Sequence, residues 1–98
     1  MKLSFTHGDG SETNGFSYQG THMTTYDDLV KTFGQPTRQG DGEKTTVEWV
    51  IKFNDGTVAT IYDWKYGYTP KDFTEWNVGG KSKKAYVNVG FALMKEEV

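Results

Sequence analysis

Residues 48–65 read EWVIKFNDGTVATIYDWK, and this stretch constrains the chain more than any other. Two runs rich in β-branched and aromatic residues flank Asn54-Asp55-Gly56, a strong short-range signal for a hairpin turn. The middle of the chain is therefore committed to antiparallel sheet. Two registers satisfy the turn. With Asp55-Gly56 as a two-residue turn, Phe53 faces Val58, Ile51 faces Thr60, Trp49 faces Tyr62 and Val47 faces Trp64. With Asn54-Asp55-Gly56 as a three-residue turn and a bulge, every partner shifts by one. The first register gathers nearly all the large apolar groups on one face and is the expected one, since a one-residue slip sends every side chain to the other side. It also sets Glu48 opposite Asp63, a like-charge pair that calls for a nearby cation such as Lys52 or Lys65.

A helix is signposted just upstream. Thr25 is a suitable N-cap, and Asp27 and Asp28 stand in the first turn, where the helix dipole favours carboxylates. Tyr26, Leu29, Val30 and Phe33 form one apolar stripe, Gly34 supplies the stop and Pro36 blocks continuation. Residues 1–6 read as a short strand, and Phe16 to Met23 as a second that closes a hairpin with it across the Gly8–Gly15 loop. Thr37 to Lys44 is a polar loop. Phe73 to Val78 reads as a further strand, broken by Gly79-Gly80-Lys81-Ser82. The last segment alternates like a strand at Ala85, Val87, Val89, Phe91 and Leu93, yet Tyr86, Val89, Ala92 and Leu93 also make a helical stripe. Ser82 as a cap tips the expectation to helix. The sum is a single α+β domain over residues 1–98, an antiparallel sheet of four to five strands with two helices on one face.

Composition sets the outer limits. Ninety-eight residues hold one core. A net charge of −2 argues against a general nucleic-acid binder, which needs a basic face. Cys is absent, which removes disulfides and thiolate metal sites and points to a reducing cytoplasm. No apolar run suits a signal peptide or a membrane span. His7 and His22 are the only imidazoles, too few for a His-based metal site, and no nucleophile–base pair stands out. The expectation is a protein without catalytic residues, cofactor or metal.

Two segments are candidate sites. The loop at residues 64–72 is rich in aromatics: Trp64 and Trp76 are assigned to the core, whereas Tyr66 and Tyr68, beside Gly67 and Pro70, are hard to bury and suit partner contact. Lys65, Tyr66, Tyr68 and Lys71 are the candidate partner-binding residues. The second is Gly79, Gly80, Lys81 and Ser82, a glycine turn between strand and helix that presents backbone N–H groups to an anion. It carries the end of a phosphate-binding loop, but Glu75 stands where the earlier glycine is required. Lys81, Lys83 and Lys84 there read as a solvated charge run.

Three blocks, TTYDDLVKTFGQP at 24–36, EWVIKFNDGTVATIYDWK at 48–65 and EWNVGGKS at 75–82, resemble small uncharacterised proteins of tailed bacteriophages. The resemblance implies an accessory protein made in the host cytoplasm, and for such proteins a non-enzymatic inhibitor of a host enzyme or defence nuclease. The alternatives are a protein that sequesters a small nucleotide signal at residues 79–82, and a minor structural virion protein. An apolar C-terminal segment and spare sheet edges allow a homodimer.

Overall fold

The computed structural model describes residues 4–10, 13, 15–40, 42, 44–64 and 69–96. Strands β1 (Phe5–His7), β2 (Ser17–Thr24), β3 (Arg38–Gln39), β4 (Val47–Phe53), β5 (Val58–Tyr62) and β6 (Thr74–Gly80) form one sheet, accompanied by helices α1 (Tyr26–Phe33) and α2 (Lys83–Glu96). The order is β1-β4-β5-β6-β2, with β3 sharing the outer edge of β4 with β1, and every pairing is antiparallel. The α+β architecture is as the sequence implies. The sheet has six strands because β1 and β3 are short additions to one edge of β4.

The first two strands do not form a hairpin. β1 pairs with β4 and β2 with β6, at opposite edges of the sheet. The polar loop expected at 37–44 contributes β3, and β6 runs on through Gly79 and Gly80.

The central hairpin takes the shifted register. Lys52 faces Val58, Ile51 faces Ala59, Val50 faces Thr60, Trp49 faces Ile61 and Glu48 faces Tyr62. Asn54-Asp55-Gly56 is a three-residue turn: Phe53 N–H donates to Thr57 O at 2.8 Å, Gly56 N–H to Phe53 O at 3.0 Å, and Gly56 sits at φ +91°. Glycine tolerates that left-handed backbone at no steric cost. Asp55 locks the turn, accepting from Thr57 N–H at 2.9 Å and from Asn88 Nδ2 on α2 at 2.9 Å, with Lys84 Nζ at 3.4 Å. The other register fails on β5, where Ala59 and Ile61 join the Trp49 face while Val58 and Tyr62 fall on the opposite one. Trp49, Ile51, Phe53, Ala59 and Ile61 enter the core, while Val50 is buried on the opposite face. Glu48 does not oppose Asp63. It is ion-paired to Arg38 across β3.

Both helices cover the Trp49 face. Leu29 and Phe33 of α1 and Ala85, Val89 and Ala92 of α2 join Trp49, Trp76, Val78 and Ile61 in one cluster. Trp49 and Trp76 meet edge to face at 5.6 Å, a favourable aromatic geometry. α1 starts and stops as expected, with Thr25 Oγ1 accepting from Asp28 N–H at 3.0 Å and Gly34 N–H donating to Val30 O at 2.7 Å. α2 is a helix despite Asn88 and Gly90. Asn88 is spent on Asp55, and a Cβ at Gly90 would lie 2.9 Å from the His22 ring. A Cβ at Gly80 would lie 2.5 Å from that of Ala85, so this glycine lets the first turn of α2 close onto β6. No described helix is long and apolar enough to cross a membrane.

The Asp55 contacts make a pH prediction. The hydrogen bonds from Asn88 and Thr57, chiefly, hold its carboxyl well below the ordinary carboxylate value of 3.8. A depressed folded-state pKa contributes stability that is whole above the unfolded value and lost as pH falls through the folded one. Urea titrations should therefore show stability falling below about pH 4. In Asp55→Asn that acid limb should be shallower; an unchanged limb would refute the turn-locking role.

Candidate interaction face

The sheet face away from the helices carries the exposed aromatic groups. Register sets Tyr18, Thr21 and Met23 of β2 beside Gly79, Asn77 and Glu75 of β6, with Thr60 and Tyr62 of β5 next in line. Tyr18 is 61% exposed, Met23 53% and Phe73, immediately before β6, 63%. Trp64, directly after β5, is 44% exposed; it meets Tyr62 edge to face at 6.2 Å and has Lys44 Nζ 5.7 Å from its ring. Met23, Trp64 and Phe73 line one shallow groove with Thr74, Glu75 and Asn77. Burial, then the Glu48 carboxylate and Tyr18, push the Tyr62 phenol up, so it stays neutral at physiological pH.

The strand geometry explains why the patch forms. A bulge at Gln19 shifts the β2 register between Tyr18 and Gly20, so Tyr18 and Met23 share a face despite their odd spacing. Trp64 is presented by its neighbour. Asp63 is fully buried and accepts from Thr46 N–H at 2.8 Å, Thr46 Oγ1 at 2.7 Å and Val47 N–H at 3.2 Å. With Asp63 turned inward, the next side chain is turned out.

Trp64 is thus not a core residue, whereas Trp76 is fully buried as expected. Lys65, Tyr66 and Tyr68 lie outside the described residues. Lys71 is described and is engaged within the molecule, its Nζ 3.6 Å from the centre of the Tyr26 ring, a cation–π contact on the helix side. Tyr18 and Met23 were missed by the sequence reading because the bulge breaks simple alternation; Gly20 was the available clue.

Gly79 and Gly80 do not form an open turn. Each is buried and paired on both flanks within the sheet, Gly79 between Tyr18 and Thr60 and Gly80 between Ser17 and Ala59. Their backbones serve the ladder instead of forming an anion nest. A Cβ at Gly79 would lie 2.6 Å from Thr60 Oγ1, so close packing accounts for this residue. Lys81 and Ser82 border a cleft with Phe16, Asp55 and Ala85, where the Asp55 carboxylate opposes an anion. Ser82 caps α2, its Oγ accepting from Lys84 N–H at 3.3 Å.

Both imidazoles are tied into structure. His7 Nε2 donates to Phe33 O at 2.6 Å and its Nδ1 lies 2.7 Å from Thr37 Oγ1; His22 stacks on Tyr86 at 4.2 Å and donates from Nε2 to Tyr86 O at 2.9 Å. Among the described residues no cluster of His, Asp and Glu is placed to hold a metal ion. What the outer face offers chemically is a partly apolar platform with polar edges. Comparison of the chain with protein-family models, with curated proteins and with solved structures gives no match.

Proposed function

We propose that this chain is a non-enzymatic binding protein of a tailed bacteriophage that acts in the host cytoplasm by occupying a host protein, such as a defence nuclease or another host enzyme. The phage origin rests on the three sequence blocks. The mode of action rests on one observation: Met23, Trp64 and Phe73 line one groove on the helix-free face, and Tyr18 is exposed further along the same face. Exposed aromatic and Met side chains gathered in one patch mark protein interfaces, where such groups supply most of the binding energy. The neighbouring residues 65–68 add Tyr66 and Tyr68 to the same stretch of sequence.

Tyr18→Ser combined with Phe73→Ser tests this. Both side chains are more than half exposed, so the melting temperature should hold within a few degrees. Affinity for the captured host protein, reconstituted from purified components, should fall at least about 100-fold, as expected for loss of two anchors. Unchanged affinity would remove the outer face from the interaction.

A further inference from the structure

Where α1 and α2 meet β2 they leave a cleft of about 230 Å³, lined among others by His22, Thr24, Asp28, Lys31, Leu93 and Met94. Its volume is below the roughly 300–1,000 Å³ of clefts that enclose drug-sized molecules, so it suits a smaller one. The cleft is distinct from the groove on the outer face; Met23 is the one residue that borders both.

The polar groups around this cleft are unspent. The Thr24 side chain is only 6% exposed, yet its hydroxyl has no hydrogen-bond partner among the described residues. Buried hydroxyls are normally paired, so this one calls for a partner. His22 donates from Nε2 to Tyr86 O, which leaves Nδ1 of the neutral ring as an acceptor, and no described residue donates to it. Asp28 and Lys31 stand three apart on α1, a spacing at which opposite charges can pair. They form no ion pair with each other or with any described residue. The cleft therefore offers two acceptors, the Asp28 carboxylate and His22 Nδ1, and two donors, the Thr24 hydroxyl and the Lys31 ammonium. Leu93 and Met94 add apolar wall.

We infer that this cleft binds a free α-amino acid with an apolar side chain. The ligand's ammonium group donates to Asp28 and His22, its carboxylate accepts from Thr24 and Lys31, and its side chain packs on Leu93 and Met94. A ligand with only one of the two charges leaves half of these groups without a partner, which costs affinity. Asp28 and Lys31 are exposed, so solvent screens their charges and the affinity is modest, micromolar to millimolar.

Calorimetric titration of the intact chain with each apolar L-α-amino acid tests this. At least one should bind saturably, and its N-acetyl and amide derivatives, each lacking one charge, should bind at least about tenfold more weakly. Thr24→Val removes the hydroxyl and nearly keeps the shape. It should weaken the same amino acid at least about tenfold, while the melting temperature without ligand holds or rises, because that hydroxyl is unpaired until the ligand arrives. Tyr18→Ser/Phe73→Ser should bind the amino acid as the wild type does, since neither residue lines the cleft, so the cleft and the outer face are tested separately. No binding of any apolar amino acid up to about 10 mM, derivatives that bind as tightly as the parent, or undiminished affinity in Thr24→Val would overturn the inference.

Discussion

Trp49→Ala should lower the stability of the domain by about 3–5 kcal/mol, the range for emptying a large aromatic from a packed core. Trp49 is fully buried and ties β4 to α1 and β6. Its ring meets Trp76 at 5.6 Å and Tyr26 at 5.8 Å, and its Nε1–H donates to Gly34 O at 2.9 Å. Truncation therefore leaves a cavity and also an unpaired carbonyl at the end of α1. Domains of this size have about 5–15 kcal/mol in total, so a large share of the reserve is removed. Urea unfolding followed by the remaining tryptophans measures the loss. Trp49→Phe should cost less, since it refills most of the volume while still forfeiting the bond to Gly34. A midpoint unchanged in the Ala variant would mean that the tryptophan pair is not the centre of the core.

Asp63→Ala should cost about 3 kcal/mol or more, although it removes only a small side chain. The reason is the three donors that its carboxylate satisfies. Two are backbone N–H groups at the start of β4, and the third is the Thr46 hydroxyl, itself 2.7 Å from Thr69 Oγ1. Each buried donor left without a partner costs about 1–3 kcal/mol. Asp63→Asn keeps one acceptor oxygen and should recover part of the loss. The substitution should also disorder Trp64, because Asp63 fixes how β5 leaves the sheet. Denaturant midpoint and Trp64 fluorescence should change together in Asp63→Ala; a stable variant with native fluorescence would contradict this anchoring role.

Much of this architecture is written in short-range chemistry. α1 is legible from Thr25, Asp28, Gly34 and Pro36 because each acts within a turn of itself. The hairpin is legible for the same reason, but its register is not. Asn54-Asp55-Gly56 suits both turn lengths locally, and Asp55 is held by Asn88 and Lys84, more than twenty-five residues away. The expectation that large apolar groups share one face failed at Tyr62 and Trp64, which lie on the side without helices. The pairing of β1 and β2 was misjudged because sequence neighbours usually pair, whereas here they take opposite edges. α2 was expected as a helix on Ser82 and its apolar stripe against the objection of Gly90 and Asn88, whose purposes are tertiary: one makes room for His22 and the other ties the hairpin turn.

The interaction face was half legible. Aromatic density at 64–72 pointed to the end of the sheet where Trp64 and Phe73 are exposed, yet Trp64 was assigned inward through the wrong register. Tyr18 and Met23 join the patch only through the bulge at Gln19, a feature that composition does not announce. Gly79-Gly80-Lys81-Ser82 resembled an anion loop because a glycine pair reads alike in a turn and in a tightly packed strand. Here the second meaning holds, since side chains at both positions would strike Thr60 and Ala85.

The most direct test of the proposed function is a native mass spectrum of the tagged protein recovered from a lysate of the bacterial host. The account predicts a stoichiometric adduct of protein mass on the wild-type chain, absent from the Tyr18→Ser/Phe73→Ser variant. A wild-type spectrum without an adduct of protein mass would contradict it.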